Sequence, residues 1–549
     1  IALLLIIGSP VSIAQSVPEH ISNRPLYDFL EELAIEGVID LPTVAKPYSR
    51  ALIAEKLSLA WENQSTLSGR QRYLLEMYLR DFSAELRQLP EKEWLPLMHR
   101  ALQDSAAFLD ISLLPPVFNW NSEDFRLSAR PVYGIRYYRN QNGQVRHTWG
   151  GATMHAYLGN KWSIWASVRD NYQTNQVLSG PGYLNRNEGG AWKINVQGRA
   201  GGDYSEMRAG VAYTWPWGNV SLQKDHLEWG DNHHGANILS GRTPSYPMVK
   251  LHLHPAPWID FHYHHGWLIS MVTDSLRSYY PNPGDPYRQV YRNKYIAANL
   301  FTFTPFRGYH ISVGNSVIYS DQDIYPGYLI PFMFFKSVVH TQTQGVGAHN
   351  QNSAMFLNLS ARPVRHLHVY GTWFIDEFSF TRIGNPDHLN FTSTKAGFRL
   401  SGWPLRDAGL TAEYTFTYPK TFLHRTPSTT YTTNHYNLGH YMLDNATDLY
   451  LALNWQPWRG LNLKLSYAEA RKGNVVPYVY GVIPDTDPFM KDVVWQNTTL
   501  ALDASYVLYN NISLFAGYHL ADVRGFDVDG RSAADYLSSF TPNLFHGKT

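Results

Sequence analysis

The chain has 549 residues, with 46 basic and 45 acidic side chains, so its formal net charge is only +1. No basic block stands out, which excludes the concentrated cationic face that nucleic-acid binding requires. Cysteine is absent, which excludes disulfides, thiolate metal sites and a lipid-modified N-terminal cysteine. Mean hydropathy is -0.32, and beyond the N-terminus no run of about 18 apolar residues exists, which excludes membrane-spanning helices.

The first residues have the pattern of an export signal. Residues 2–7 form an apolar run, and Ser12, Ile13 and Ala14 place small residues where a signal peptidase cuts. We predict a signal peptide over residues 1–14, with the mature chain beginning near Gln15. Because the sequence opens at Ile1 without a Met or a basic segment, we expect its start to be truncated.

Residues 15–105 predict a helical region. Pro25 opens a helix with apolar residues at helical spacing, and Gly37 ends it. Ser49 begins a second helix, and Ser68 with Gln71 forms a capping box for a third. Since these helices precede the first predicted strand, we expect them on the periplasmic side. The simplest interpretation is a small packed cap, and the alternative is a docking surface for other outer-membrane proteins.

Residues 106–549 predict an all-β fold, a transmembrane antiparallel β-barrel. Apolar residues such as Leu461, Leu463 and Leu465 alternate with polar ones, which is the period-2 pattern of a sheet with two unlike faces. Aromatic residues, 14% of the chain, lie mainly at the ends of the apolar rows. Short proline turns, at Pro216, Pro257, Pro305, Pro363, Pro404 and Pro457, alternate with long polar loops at 172–203, 274–293 and 422–444. Aromatic girdles and this asymmetry of connections are typical of an outer-membrane barrel.

The short turns also give a strand number. Two further turns, at Gly159-Asn160 and at Asn510-Asn511, bring the short turns to eight. A barrel with an even strand number and both chain ends in the periplasm then has about 18 strands. The first strand is expected near residues 126–138 and the seventeenth near 512–520. The eighteenth should follow residue 540, so we expect the C-terminus to be truncated as well.

Three groups of residues carry a family resemblance: 26–30 with 46–50, 228–230 with 237–244, and 438–440 with 444–446. On these residues the chain resembles the Wzi-like capsule assembly family, in particular its Bacteroidetes-type branch. The resemblance implies an 18-stranded outer-membrane barrel that acts as a lectin, holding capsular polysaccharide on the cell surface and assisting capsule assembly. Where the family often has Gly-Pro-Gly-like residues after the Trp-Gly pair, this chain has Asp231, Asn232, His233 and His234.

The segment 228–246 is the predicted glycan-binding site. Sugars are held by aromatic rings against their C–H faces and by planar polar groups on their hydroxyls. The candidate residues are Trp229, Asp231, Asn232, Asn237, Arg242 and Tyr246, with His440 and Asp444 from the third group of the resemblance. The alternative is that such residues are ordinary strand-end residues of any barrel.

Four histidines form pairs on two neighbouring strands. His252 and His254 share one strand face, His262 and His264 share a face of the next, and Pro257 lies in the turn between them. Pairs across a hairpin can approach closely enough to bind Zn²⁺ or Cu²⁺. However, the residues between them form the lipid-facing row, so the histidines are most simply interpreted as lumen fillers. We therefore predict no bound metal and no cofactor.

The sequence favours a binding protein over an enzyme. Ser240, His440 and Asp444 are present, but no nucleophile elbow or paired-carboxylate motif accompanies them. The predicted partners are capsular or exopolysaccharide, outer-membrane lipid with lipopolysaccharide, and other outer-membrane proteins. The predicted location is the cell outer membrane, with the long loops extracellular. A porin, or a structural subunit of a larger outer-membrane complex, remains the alternative, since a barrel of this size is wide enough for a water channel.

Overall fold

The structure is a computed structural model that describes residues 15–86, 109–110, 117–122, 124–194, 201–343, 350–385, 389–476, 488–509 and 512–549. The predicted signal peptide, residues 1–14, and the predicted boundary near residue 105 lie outside these described residues.

The N-terminal region is helical, as predicted. The helices are α1 (Arg24–Ile35), α2 (Arg50–Glu62), α3 (Gly69–Asp81) and α4 (Ser83–Leu86). Ser49 Oγ accepts the Leu52 N–H at 3.1 Å, and Ser68 with Gln71 forms the predicted capping box. Gly37, at φ +74°, takes the left-handed conformation that follows a helix end. Leu30, Leu33, Ile53, Leu57 and Leu75 are fully buried in the core of this unit. Within the described residues, no helix is both long and apolar enough to cross a membrane.

The rest of the chain forms a closed antiparallel β-barrel, which confirms the predicted fold class. Among the described residues, seventeen strands of eight or more residues pair in chain order. They are β1 (Phe125–Asn140), β2 (Gly143–Leu158), β3 (Trp162–Gln173), β4 (Gly202–Trp215), β5 (Gly218–Asp225), β6 (Tyr246–Ala256), β7 (Ile259–Thr273), β8 (Tyr291–Phe306), β9 (Tyr309–Ser320), β10 (Gln351–Val364), β11 (Leu367–Glu377), β12 (Phe391–Ser401), β13 (Ala408–Thr417), β14 (Ala446–Trp455), β15 (Leu461–Gly473), β16 (Val493–Tyr509) and β17 (Ile512–Gly525). The predicted first and seventeenth strands coincide with β1 and β17.

Shorter strands complete the sheet where β1 and β17 approach each other. Val117–Asn121 pairs with β1, and Gly547–Lys548 pairs with β17. Across this region Asn142 Nδ2 donates to the His546 carbonyl oxygen at 2.8 Å, and the Arg136 guanidinium lies 4.8 Å from the ring centroid of Phe515. Leu109–Asp110 and Lys193–Ile194 are two-residue additions, and Ala533–Phe540 forms a short helix after β17.

The connections separate into two kinds, as the sequence predicted. The seven short turns that follow β2, β4, β6, β8, β10, β12 and β14 lie at one end of the barrel, which we call the short-turn end, and the turn predicted at Asn510-Asn511 lies outside the described residues. The long loops lie at the opposite, long-loop end. One connection differs from the prediction, because β1 and β2 are joined at the long-loop end by a two-residue turn. That turn packs against residues 544–548.

The two faces of the strands differ as expected for a membrane barrel. Outward residues such as Leu465 and Leu502 are half-exposed, whereas the inward Glu413 and Asp448 are buried. A row of exposed aromatic side chains encircles the short-turn end, where Trp217, Trp258, Phe306, Trp403 and Trp458 lie beside the turns. This row is the girdle that the aromatic content predicted.

Part of the outer surface is covered by protein. Residues 321–343, which we call the wall segment, leave the long-loop end and lie against the outside of β7, β8 and β9. The segment contains a 3-10 turn (Pro326–Leu329) and the helix α5 (Phe335–Thr343). Tyr328 and Phe335 pack on the outward residues Tyr263 and Tyr319. The alternation predicted that this outward row faces lipid, and here the wall segment faces the lipid instead.

Two outward asparagines hold the wall segment. Asn299 Nδ2 donates to the carbonyl oxygens of Pro331 at 2.9 Å and Met333 at 3.0 Å. Asn315 Oδ1 accepts the Phe335 N–H at 2.8 Å. These bonds satisfy backbone groups that water does not reach in a membrane.

The lumen is filled from both ends. At the short-turn end the N-terminal unit enters the barrel, with Val17 packed on the inward Tyr157 and Trp165. From the long-loop end residues 226–245, the inner loop, fold inward. Its strand Glu228–Trp229 pairs with Ala45–Lys46 of the N-terminal unit and with Leu239–Ser240, forming a three-stranded sheet inside the barrel.

Candidate functional site

The inner loop is fixed by a carboxylate of the barrel wall. Glu413, which projects inward from β13, accepts the N–H groups of His233 at 2.8 Å and His234 at 2.7 Å. The Tyr370 hydroxyl also donates to Glu413, at 2.7 Å, and Lys395 Nζ lies 3.3 Å away. A buried carboxylate that accepts several hydrogen bonds and faces a cation is well compensated for the loss of water. The inner loop is therefore held in a defined position inside the barrel by specific hydrogen bonds.

Ion pairs join the inner loop to the N-terminal unit. Glu228, 1% exposed, lies 2.5 Å from Arg24 and 3.1 Å from Lys46. Glu31 of α1 accepts from Arg399 at 3.0 Å and lies 3.3 Å from His233. Burial alone raises the pKa of Glu31, but the charges of His233 and Arg399 outweigh it and hold that pKa well below its ordinary value. The helices, the inner loop and the wall thus share one network of charges.

The predicted glycan-site residues of the inner loop are mostly enclosed by protein. Trp229 is 1% exposed and packs edge-on against His264 and Phe356. Asp231 accepts from Asn358 Nδ2 at 2.8 Å. Asn232 Nδ2 donates to the Gly230 carbonyl oxygen, and Asn237 Nδ2 donates to Ser393 Oγ, both at 2.9 Å.

The other four predicted residues have the same character. Arg242, 6% exposed, donates to the Tyr183 carbonyl oxygen at 2.8 Å and lies over the Tyr436 ring. Tyr246 is buried in the apolar cluster that contains Trp229. His440 lies 3.4 Å from Asp448, and Asp444 accepts from Lys472 Nζ at 2.8 Å.

These eight side chains are therefore placed as packing and anchoring groups around the inner loop. The structure brings Trp229 and Tyr246 into one cluster, while Asp444 lies on another loop and binds Lys472 instead. Trp229 and Arg242 present no open face to solvent, so sugar stacking there needs a rearrangement of the loop. Glycan contact by these residues stays a prediction.

Three of the four histidines meet at one carboxylate, Asp260, which was not among the residues predicted from the sequence. Asp260 lies 2.7 Å from His252 Nε2, 2.7 Å from His262 Nε2 and 3.5 Å from His254 Nδ1. The rings of His252 and His262 are stacked, 4.3 Å apart and 3° from parallel. His264 is separate from this group and packs against Trp229. The inward direction of these histidines agrees with their interpretation as residues that fill the lumen.

A second candidate site lies in the open, on the connection between β7 and β8. Residues 274–290 form a protruding hairpin, which we call the tyrosine hairpin. Its backbone is ordered by hydrogen bonds from the Asp274 N–H to the Val290 carbonyl oxygen at 2.8 Å and between Tyr279 and Arg288 in both directions. Asp274 Oδ1 accepts the Leu276 N–H at 3.1 Å, which fixes the first turn.

The tyrosine hairpin exposes aromatic rings at its tip. Tyr280 is 67% exposed, Tyr279 and Tyr287 are about half exposed, and the rings of Tyr280 and Tyr287 lie 5.0 Å apart. Arg288 Nη1 donates to the Tyr279 hydroxyl at 3.0 Å. Exposed aromatic patches on an ordered scaffold are characteristic of binding surfaces, because tyrosine offers a rigid apolar face and a polar tip. The sequence predicted only a long polar loop here, although Tyr279-Tyr280 beside Asn282, Asp285 and Arg288 is a pattern that indicates a binding surface.

The fold and the filled interior define the class of this protein: an outer-membrane-type β-barrel with an occupied lumen. No family model matches the chain, and no curated protein matches its sequence. Among solved structures the fold is similar to Wzi of Escherichia coli, described as an outer membrane protein involved in group 1 capsule assembly and a carbohydrate-binding β-barrel. The two chains are 13% identical, with 94% of this chain and 96% of that chain covered and a TM-score of 0.51.

Two other outer-membrane barrels are less similar. OccD3 (OpdP) of Pseudomonas aeruginosa is 11% identical, with 74% of this chain and 88% of that chain covered and a TM-score of 0.39. OccK8 (OprE) of the same organism is 8% identical, with 74% and 94% covered and a TM-score of 0.40. The likeness to Wzi agrees in fold with the resemblance found in the sequence, and membership of a Bacteroidetes-type branch stays a prediction.

Proposed function

We propose that this protein is a non-catalytic outer-membrane barrel that binds surface polysaccharide, such as capsular or exopolysaccharide, at its long-loop end. The observation that carries the proposal is the tyrosine hairpin, an ordered protrusion whose aromatic rings face solvent. Aromatic rings stack on the C–H faces of sugars, and neighbouring Asn282, Asp285 and Arg288 supply groups for hydroxyls. The carbohydrate binding described for Wzi, which has a similar fold, supports the same class of ligand.

The orientation follows from the connections. Outer-membrane barrels have short periplasmic turns and longer extracellular loops, so the long-loop end is assigned to the cell surface and the N-terminal helices to the periplasm. In this orientation the tyrosine hairpin meets polymer outside the cell. We also propose a wider role, which is assistance in capsule assembly. Lipopolysaccharide and other outer-membrane proteins are its proposed neighbours in the membrane.

The filled lumen favours binding over transport. The N-terminal unit and the inner loop occupy the interior, and Glu228, Glu31 and Glu413 tie them to each other and to the wall. A diffusion channel needs a continuous water path through the barrel, and the described parts of the N-terminal unit and of the inner loop take up space that such a path requires. The porin alternative is therefore less well supported than a surface-binding role.

The test is binding of the purified full-length barrel to a panel of capsular and exopolysaccharides. Replacing both Tyr280 and Tyr287 by Ala is expected to weaken binding at least about tenfold, since burying one aromatic ring contributes on the order of 1.5–3 kcal/mol. Phe380→Ala is the matched control, because Phe380 is an 82% exposed aromatic residue on a different long loop.

The possible outcomes separate the alternatives. Loss of binding in the tyrosine variant, with Phe380→Ala unchanged, supports the proposal. Loss in Arg242→Ala alone, with the barrel still folded, moves the site to segment 228–246. No binding to any polysaccharide, together with steady conductance in planar bilayers, makes the protein a porin and refutes the proposal.

A further inference from the structure

Three imidazole rings surround one buried carboxylate on the β6–β7 hairpin, inside the barrel near the short-turn end. His252 and His262 are direct partners across the two strands, and Asp260 lies two residues before His262 on the same face. Asp260 is 2% exposed and His262 is 3% exposed. Their ligand atoms lie within 4.8 Å of one another. The set is carried by paired strands, which hold its geometry more firmly than a loop does.

The hydrogen bonding within this cluster is incomplete. His252 Nε2 is 2.7 Å from Asp260 Oδ2 with normal hydrogen-bond geometry. Asp260 Oδ1 is equally close to His262 Nε2, but that contact lacks the geometry of a hydrogen bond, and Oδ1 has no other partner. A buried carboxylate oxygen without a hydrogen-bond donor is costly. A cation between the oxygen and the ring nitrogens removes that cost.

We propose that His252, Asp260 and His262 bind a divalent transition-metal ion, with Zn²⁺ as the reference ion. Two imidazole nitrogens and one carboxylate oxygen are a common protein ligand set for zinc, leaving a position for water or a further ligand. His254, whose Nδ1 lies 3.5 Å from Asp260 Oδ2, is placed to be that further ligand.

Binding requires a small expansion of the cluster. Ligand atoms of a tetrahedral zinc site lie about 3.3 Å apart, given zinc–nitrogen distances of about 2.0 Å. The nitrogen–oxygen contacts of 2.7 Å therefore lengthen by about 0.6 Å when a metal replaces the proton between them. Rotation of the side chains supplies this movement without a change in the strands.

Neighbouring groups support the ligands and give access. Asn219 Nδ2 lies 3.3 Å from His252 Nδ1. When the side-chain amide of Asn219 is flipped, its Oδ1 accepts the Nδ1–H that His252 carries when its Nε2 binds a metal. A cavity lined by Thr43, Tyr48, Asn219, Lys250, His252 and His262 opens onto the cluster and provides room for water. The positive charge of Lys250 disfavours a cation bound in this cavity, and the negative charge of Asp260 offsets that repulsion.

The experiment is calorimetric titration of Zn²⁺ into the full-length barrel, purified with a histidine-free tag and stripped of metal by a chelator. We expect one ion per chain. Asp260→Asn and His262→Gln are each expected to weaken the affinity at least about tenfold, and Asn219→Ala about tenfold. His264→Gln, on the same face of the same strand but outside the cluster, is expected to change the affinity less than twofold.

Cobalt gives an independent readout. Bound Co²⁺ in a site of nitrogen and oxygen ligands has visible absorption bands, which are expected in the wild type and in His264→Gln but not in Asp260→Asn. Heat-dependent migration on gels verifies that each barrel is folded, and His252→Gln replaces any variant that is not. Zinc binding that survives Asp260→Asn and His262→Gln, or no zinc binding by the wild type, overturns the proposal. Either result is independent of polysaccharide binding.

Discussion

Glu85 is the residue whose replacement most directly tests what stabilises the helical unit, because it joins α4 to α2 and also contacts the barrel. It is fully buried on α4, 2.7 Å from Arg50 Nε, and accepts the hydroxyl of Tyr157 on β2 at 2.5 Å. Burial alone raises the pKa of Glu85, but the charge of Arg50, assisted by His155, more than offsets it and lowers that pKa to about 2. The charged carboxylate is therefore stabilised by the folded arrangement.

The size of this stabilisation follows from the pKa. Lowering it from 4.5 to about 2 corresponds to about 3 kcal/mol. Removing one partner of a buried ion pair costs about 3–5 kcal/mol, a range that includes the value obtained from the pKa. Glu85→Gln keeps the shape of the side chain and removes the charge, so the free energy of unfolding of the helical unit is expected to fall by about 3 kcal/mol.

Limited proteolysis of the helical unit measures the effect. When reclosing is faster than cleavage, the cleavage rate follows the population of the open form. A loss of about 3 kcal/mol then raises that rate on the order of 100-fold, while the barrel itself stays protected. Glu55→Gln is the control, because Glu55 is about a third exposed and pairs with its chain neighbour Lys56, and partly exposed pairs of this kind are expected to contribute about 1 kcal/mol. If Glu85→Gln is cleaved less than about fivefold faster than the wild type, the charge of Glu85 does not stabilise the helical unit by the expected amount.

Three further outcomes are expected. Because the pKa of Glu85 is lower in the folded state, its stabilising effect is present above about pH 4.5 and is lost as the pH falls toward about 2; the protection factors of the α4 amides, which compare the intrinsic with the observed exchange rate at each pH, are expected to fall over that interval, and unchanged protection factors contradict this. Trp229→Ala is expected to lower the stability of the folded barrel by about 3–5 kcal/mol by leaving a cavity, seen as unfolding at lower temperature on gels; a wild-type unfolding temperature argues against its packing role. Asn315→Leu leaves the Phe335 N–H without its acceptor, a cost of about 1–3 kcal/mol, so exchange of that amide is expected to accelerate about 5- to 150-fold, and equal exchange rates refute the role of Asn315.

The turns and strand directions follow from local chemistry, which is why the sequence predicts them well. Proline favours a turn and is disfavoured inside a strand, so the residues around Pro216 and Pro457 indicate turns without knowledge of the fold. Capping is equally local, and the box of Ser68 with Gln71 forms as expected. Export and chain ends, in contrast, stay predictions from the sequence.

The interior could not be predicted, because it depends on contacts between distant residues. Trp229 was assigned to a sugar site by residue type, whereas its neighbour Phe356 lies more than a hundred positions along the chain. Inward apolar residues on β8, such as Ile296 and Leu300, pack in the cluster around Trp229. Their presence on an expected polar face was a signal that the lumen holds packed protein. Alternation alone does not tell which segment fills it.

The wall segment has a consequence for the way the barrel enters a membrane. Without it, Asn299 and Asn315 present amides to hydrocarbon, and an amide transferred there without a partner costs about 2–7 kcal/mol. The side chains that meet lipid in their place, Leu329, Ile330, Phe332 and Phe334, belong to a connection and not to a strand. Insertion of β8 and β9 therefore has to carry this connection into the bilayer with them. The wall of the barrel is therefore two layers thick at these strands, and any route of insertion has to accommodate that thickness.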